Sequence, residues 1–326
     1  MLLSCIMMVN EQSEKKLMTK AAQLYYENDL SILDISKLLG MSRQRCSRLL
    51  KKAREVGIVQ IKIHRSDHSH LRNLEKRLQE VFHLKKVVVT EVFSNSSDYI
   101  IKSVAEEGAH LLNQFIQPNL SIGVASGRTL YELVQYIKTL EERDYNIKIF
   151  ELIGGLSRIS ANVVATEISR SIAKKLHAKV YFLPAPAFTK DQKTRDAMLK
   201  DSIIKAALSE KIDLALVGIG NVTPQTMLVD TETINKKEYR ELLEKEAVGV
   251  INGTFFDIQG NIVEFEGNKR RIAVPLTELK KVPDIVGVAG GLNKVDAIIG
   301  ALCGGFVNIL VIDNLSSNAI LKKIEA

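Results

Sequence analysis

Residues Ser31 to Glu55, SILDISKLLGMSRQRCSRLLKKARE, decide how the amino-terminal part of this chain is read. Ile32, Ile35, Leu38 and Leu39 in the first half, and Cys46, Leu49, Leu50 and Ala53 in the second, recur at i, i+3, i+4 and i+7. That is the helical period, so the spacing predicts two short helices, each with one face to bury. Gly40 can take the positive φ at which a helix commonly ends, and Ser42 is a good cap for the helix that follows. Two short helices about such a turn form a helix-turn-helix, whose second helix opens with Arg43, Gln44 and Arg45. In that motif the opening residues face base edges in the major groove, where Arg suits guanine and Gln suits adenine. Arg43, Gln44, Arg45, Ser47 and Arg48 are therefore the expected DNA-facing residues, with Lys51, Lys52 and Arg54 within reach of phosphates; Cys46 and Leu49 belong to the core.

Working outward, residues 13–27 read as a preceding helix that packs Leu17, Ala21, Leu24 and Tyr25 on the other two. After Gly57, the alternation of Ile58, Val59, Ile61 and Ile63 with polar residues reads as a small β wing. Residues 1–65 hold 12 Lys and Arg against 6 Asp and Glu, whereas the rest of the 326-residue chain holds 33 against 32. A basic small domain before a neutral large one fits polyanion binding by the first. The expected division is a winged helix-turn-helix over 1–65, a linker helix over 66–84 and an effector and oligomerisation domain over 85–326.

In the linker helix Leu71, Leu74, Leu78 and Val81 form a narrow stripe that suits either a partner subunit or the chain's own domain. His64, His68 and His70 precede or open it without a Cys or carboxylate cluster beside them, so neither a metal nor a cofactor is expected. Cys5, Cys46 and Cys303 lie far apart and read as reduced thiols of a cytoplasmic protein. The opening MLLSCIMMV is too short to span a bilayer and lacks a basic leader, so no membrane partner is expected.

From Lys85 onward strand-like runs alternate with helical stretches. The runs are VVVTEV, LSIGVA, IKIFELIGG, KVYFLP, IDLALVGIG, DIVGVAGG and VNILVID; the helices are near 98–116, 129–142, 163–176, 195–210, 236–246, 294–303 and 314–324. This predicts a doubly wound, mostly parallel α/β domain, with ligands beyond the carboxyl ends of its strands. Ser126-Gly127-Arg128-Thr129 would gather backbone N–H groups, a hydroxyl and a helix N-terminus into an anion site. Gly290-Gly291-Leu292-Asn293-Lys294 would add an ammonium. Gly154-Gly155 and Gly218-Ile219-Gly220-Asn221 supply two more tight turns at strand ends. Each alone is turn geometry, but four at one sheet edge describe a pocket.

These segments resemble a known family. SRQRCSRLLKKAREVGIVQI, IGVASGRT, ELIGGL, YFLPAP, LALVGIGN, AVGVINGTFFDIQGN, IVGVAGGLNKVDAIIGAL and NILVID are similar to the SorC type of sugar-binding transcriptional regulators, and the match covers nearly all the chain from about Ala21. The resemblance implies operator DNA and a phosphorylated sugar as partners, a homo-oligomer, usually a tetramer, and an effector domain like ribose-phosphate isomerases and glucosamine-phosphate deaminases. It places the phosphate cradle on Ser126, Gly127, Arg128 and Thr129 and its lysine on Lys294, with Gly154, Gly155, Gly220, Asn221 and Asp257 as further effector-site candidates. Two departures stand out. Arg128 occupies a place where relatives often carry a small or hydroxylated residue, and Ile153 stands where some relatives hold an aldehyde sugar through a lysine.

The rival reading is a sugar-phosphate isomerase or deaminase with an appended DNA-binding domain. Such enzymes need a carboxylate near the sugar carbons to move a proton. Here the GIG turn continues Asn221-Val222-Thr223-Pro224 instead of an acidic segment, and Asp257 before Gln-Gly reads first as a turn former. A non-enzymatic regulator of carbohydrate genes is the expectation.

Overall fold

The computed structural model describes residues 2–59, 69–141, 145–156, 165–224, 228 and 233–325. Two compact units emerge, Met1–Asp67 and His68–Ala326.

The first unit is a three-helix core of α1 (Leu2–Tyr26), α2 (Ile32–Leu38) and α3 (Arg43–Glu55). Hydroxyl caps start the two short helices: Ser31 accepts from Asp34 N and Ser42 from Arg45 N, each at 3.2 Å. Gly40 ends α2 at φ +60°. Met18, Ala21, Ala22 and Leu24 of α1 meet Ile35, Cys46, Leu49, Leu50 and Ala53. The expected packing faces are met with two exceptions, Leu38 and Tyr25, which are exposed. The helix also runs back to Leu2, well before the expected residue 13. Ile58 and Val59 pack on this core, and the rest of the wing, like His64 and His68, lies outside the described residues.

The second unit is built on a seven-stranded parallel sheet. Its strands are β1 (Lys86–Thr90), β2 (Ser121–Val124), β3 (Lys148–Glu151), β4 (Lys179–Tyr181), β5 (Leu214–Gly218), β9 (Asp284–Val288) and β10 (Ile309–Asp313), in the order β1-β10-β9-β5-β2-β3-β4. Six of the seven fall within the runs legible in the sequence, and β1 begins one residue before its run, at Lys86. Near-continuous apolar strands such as Leu310-Val311-Ile312 suit a sheet buried on both faces. The helix α4 (Ser69–Phe82) groups with this unit and buries Leu71, Leu74 and Leu78 in its core, while Val81 stays exposed. The long helix α5 (Ser97–Phe115) follows β1 and buries Ile100, Val104, Leu111 and Leu112 in the same core.

The chain order β2-β3-β4 runs one way along the sheet and β5-β9-β10 the other, so the direction reverses between β2 and β5. That reversal opens a crevice at the carboxyl ends of β2 and β5.

Two expected helices differ. The stretch expected at 129–142 stops at Tyr136 in α6 (Arg128–Tyr136), and the Lys175 ammonium of α7 (Ala165–Leu176) closes its end by donating to the Gln135 and Ile137 carbonyls. The stretch expected at 195–210 is two helices, α8 (Gln192–Met198) and α9 (Ser202–Ser209), because Asp201 accepts from Ile203 N and Ile204 N and starts a new helix. A second, antiparallel sheet of β6 (Gly220–Asn221), β7 (Gly249–Ile251) and β8 (Thr254–Phe256) was not expected. Asn252-Gly253, both at positive φ, make its hairpin turn.

Candidate functional site

In the first unit the start of α3 presents Arg43, Gln44, Arg45, Ser47 and Arg48 to solvent, and Lys51 follows on the same exposed side. The fold dictates this, since Cys46, Leu49, Leu50 and Ala53 claim the opposite face for the core. Lys52 is committed differently: its ammonium lies 3.0 Å from the Glu14 carboxylate of α1 and ties the two helices together. Arg48 reaches back over its own helix, its Nε 3.4 Å from the Gln44 carbonyl.

In the second unit the crevice is walled by the loops that leave β2, β5 and β9, three neighbouring strands. The β2 loop turns through Gly127 at φ +145°, a conformation that favours glycine, directly into α6. No side chain caps that helix, so its first amides are left for another acceptor. Arg128 points its guanidinium back toward α5, with Nη2 3.2 Å from Ser97 Oγ and Nη1 3.9 Å from the Asp98 carboxylate. Thr129 is buried beneath it.

The β9 loop is pinned from below. Asp313, fully buried at the end of β10, accepts from Gly291 N at 2.9 Å and from Ser316 Oγ at 2.6 Å through one carboxylate oxygen, and from Ser316 N at 2.8 Å through the other. Gly290 must be glycine here, because a Cβ would stand 2.6 Å from that same Asp313 oxygen. This anchored turn delivers Lys294. Its side chain keeps some exposure, yet protein surrounds the ammonium, and among the described residues it has neither a carboxylate nor a hydrogen-bond partner. Burial, and then the nearby Arg128 charge, pull it from 10.5 down to about 8. Two cations from different loops thus share one crevice with uncapped helix amides, an arrangement that asks for an anion.

The β5 loop lies between them. Gly220 pairs with Val250 of the hairpin, and Asn221 Nδ2 donates to the Asn293 carbonyl at 3.1 Å, tying the β5 loop to the β9 loop one residue before Lys294. Ser126, Gly127, Arg128, Thr129, Asn221 and Lys294 are therefore brought together.

The Gly154 and Gly155 amides are already engaged. Gly154 N donates to the Ile272 carbonyl and Gly155 N to the Ala185 carbonyl, and a Cβ at Gly154 would stand 2.4 Å from Ala185 O. Asp257 stands apart as well: its two carboxylate oxygens accept from Asn261 N at 2.8 Å and Asn261 Nδ2 at 3.0 Å, closing a turn. That turn packs against Gly300, midway along the helix Val295–Cys303, not at the Lys294 end.

Three features were not read from the sequence. The Asp313 and Ser316 clamp is one. A second is Asn252, which donates to the Leu152 and Val274 carbonyls, each at 2.9 Å, and fastens the hairpin to the end of β3; the Asn-Gly pair between GVI and TFF was its available signal. Glu151 is the third: it is buried at the end of β3, with one oxygen accepting from Leu183 N at 2.8 Å and the other, among the described residues, without a partner in good hydrogen-bond geometry. Burial raises its carboxyl, against the pull of Thr166, the Leu183 amide and Arg170. Among the described residues no group of three or more His, Cys, Asp and Glu could hold a metal ion, and no helix is long and apolar enough to cross a membrane.

A family model described as "Putative sugar-binding domain" matches residues 66–322. The chain belongs to the SorC-type family of sugar-binding regulators. Among its relatives, the deoxyribonucleoside regulator of Bacillus subtilis (strain 168) is 31% identical over 315 residues, spanning 95% of this chain and 99% of that protein. The sorbitol operon regulator of Klebsiella pneumoniae is 28% identical over 312 residues, spanning 94% of this chain and 98% of its own. The crystal structure of full-length sorbitol operon regulator SorC from Klebsiella pneumoniae superposes with a TM-score of 0.77 over 94% of this chain and 98% of its own, at 28% identity. As a member of this SorC-type family the chain is a transcriptional regulator with a sugar-binding domain, and the mostly parallel seven-stranded sheet is that domain's frame.

Proposed function

We propose that the protein reads operator DNA through Arg43, Gln44, Arg45, Ser47, Arg48 and Lys51 and is controlled by a phosphorylated sugar held at Ser126, Gly127, Arg128, Thr129 and Lys294. Asn221 braces the same loops, while Gly154, Gly155 and Gly220 shape the wall. The observation that carries this reading is the Lys294 ammonium, which lacks an anionic partner among the described residues and sits beside Arg128, whose loop leaves the topological switch point. A phosphate dianion between those two charges and the start of α6 relieves the electrostatic cost of holding them together.

The protein acts as a non-enzymatic, cytoplasmic homo-oligomer, a tetramer, that regulates carbohydrate genes. Its GIG turn leads into Asn221-Val222-Thr223-Pro224 and places no carboxylate there, which supports regulation over isomerisation. Binding of the sugar changes how paired recognition helices are spaced and so sets DNA affinity. The experiment is a thermal-shift screen of sugar phosphates followed by DNA-binding titrations with each hit. A hit raises the melting temperature and changes operator affinity. Lys294→Gln is expected to lose the response while still binding DNA. A Lys294→Gln protein with normal sugar-phosphate affinity removes Lys294 from the site.

A further inference from the structure

The first turn of α5 borders the crevice. Ile100, 1% exposed, packs on the β9 turn: a Cβ on Gly290 would stand 2.8 Å from Ile100 Cγ2. That turn is the one Asp313 pins through Gly291 N, and it delivers Lys294. Ile100 N donates to the Ser96 carbonyl at 3.0 Å, so Ser97 and Asp98 ride on a helix start that is itself fixed. An acid in a first helical turn also suits the helix dipole, which keeps Asp98 as a carboxylate there.

Arg128 spends the end of its fork on this element. Nη2 donates to Ser97 Oγ at 3.2 Å, and Nη1 stands 3.9 Å from Asp98 Oδ1. These terminal nitrogens form one of the edges by which a guanidinium takes a phosphate through two N–H bonds at once. The two cations of the crevice therefore differ. Lys294 has no anion among the described residues, whereas Arg128 already has one, supplied from α5. Even from this position the Arg128 charge bears on the Lys294 ammonium, so both serve one crevice. The Arg128–Asp98 pair is open to solvent, its side chains 60% and 83% exposed. Water and salt weaken such a pair, and a stronger anion can take the guanidinium from it.

We propose that Ser97 and Asp98 are positioning residues that act on the effector through Arg128: they hold the guanidinium on α5 in the effector-free protein, and an incoming phosphate must displace the Asp98 carboxylate to recruit it. The inference rests on the phosphorylated-sugar reading above and adds to it a built-in competitor, which sets the effector concentration at which the crevice fills. A phosphate dianion wins the exchange because it carries more charge and more acceptor oxygens than one exposed carboxylate. The Lys294 ammonium and the first amides of α6 meet it as well.

The test uses the full chain with inorganic phosphate as the probe, titrated by calorimetry at low ionic strength. The proteins are the wild type, Lys294→Gln, Ser97→Ala, Asp98→Asn, Arg128→Gln and the double variant Arg128→Gln with Asp98→Asn. Asp98→Asn is expected to bind phosphate roughly two- to fivefold more tightly than the wild type, the span of an exposed ion pair. Ser97→Ala, which leaves the net charge alone, is expected to gain in the same direction. In the Arg128→Gln background the gain from Asp98→Asn disappears, because no guanidinium is left to release. A purely structural role, the loss of a favourable helix charge, lowers the melting temperature without tightening phosphate. Unchanged or weaker phosphate binding by Asp98→Asn overturns the inference. An equal gain in the Arg128→Gln background overturns it too, since it marks direct repulsion between Asp98 and the phosphate. Both of those results leave the cradle standing when Lys294→Gln loses phosphate. Phosphate that binds none of the proteins, or binds Lys294→Gln as well as the wild type, removes the cradle reading and this one together.

Discussion

Replacing Lys294 with Met is expected to stabilise the effector-free protein and to blind it to its effector. The structure supplies the magnitude. Lowering an ammonium from 10.5 to about 8 on folding makes the charged form about 3 kcal/mol more costly in the native state. The side chain's partial exposure trims that figure, leaving roughly 1–3 kcal/mol. The folded state binds this proton less tightly than the unfolded state does, so the penalty is present in full below about pH 8 and fades as pH rises toward 10.5. Wild-type stability therefore climbs across that alkaline window, and Lys294→Met lacks the climb. The assay is calorimetric melting of both proteins at a series of pH values. At neutral pH the variant melts higher, by roughly 2–4 °C per kcal/mol for a domain of this size, and the two curves converge at alkaline pH. Equal melting temperatures at neutral pH, with parallel curves to alkaline pH, would falsify the claim that the Lys294 ammonium is held without a partner. The same reasoning makes the effector a stabiliser of wild type, because its phosphate supplies the missing counter-charge, and leaves Lys294→Met indifferent to it.

Three further outcomes follow from the geometry. Arg45→Ala combined with Arg48→Ala should weaken operator binding by roughly 1–3 kcal/mol for each bidentate base pairing removed, with sugar-phosphate affinity unchanged; fluorescence anisotropy at several salt concentrations checks it, and unaltered affinity throughout would move the recognition surface elsewhere. Glu151→Gln keeps an oxygen for the Leu183 amide and removes a buried charge. Because the folded state raises that carboxyl, its stabilising share is held at acid pH and lost as pH rises past the unfolded value. The variant should thus melt above wild type near neutral pH and level with it in acid, and a variant less stable at neutral pH contradicts this. Asn252→Ala strips two buried carbonyls, Leu152 O and Val274 O, of their donor and should cost roughly 1–3 kcal/mol or more in urea unfolding.

Local chemistry was legible in the residues alone wherever the signal is carried by neighbours in sequence. Gly40 and Ser42 had to separate two helices, since a positive φ and a hydroxyl cap act within one turn. The seven apolar runs became seven parallel strands because a sheet covered on both faces needs strands apolar throughout. The glycine-bearing loops after β2 and β9 could be named as candidate anion sites from their own residues, the one ending at Thr129 and the other at Lys294.

What the sequence could not contain was adjacency across the sheet. Only the strand order sets the β5 loop between those of β2 and β9 and brings Arg128 close enough to press on Lys294, 166 residues later in the chain. The order likewise decides where several candidates spend their polar groups. Gly154 and Gly155 spend their amides on residues 272 and 185, and Asp257 spends its oxygens on Asn261 beside Gly300; neither commitment is visible in short motifs. The same holds for Arg270 and Arg271, adjacent and chemically identical in the sequence. Arg270 closes the 3-10 helix Glu266–Arg270 and pairs with Glu238, whereas Arg271 is the first extended residue after it and donates to the hairpin tip, without a counter-ion among the described residues. Residue type and local spacing say what a group can bind, but whether it is still free to bind is decided by long-range hydrogen bonds and charge pairs, which exist only once the chain has folded.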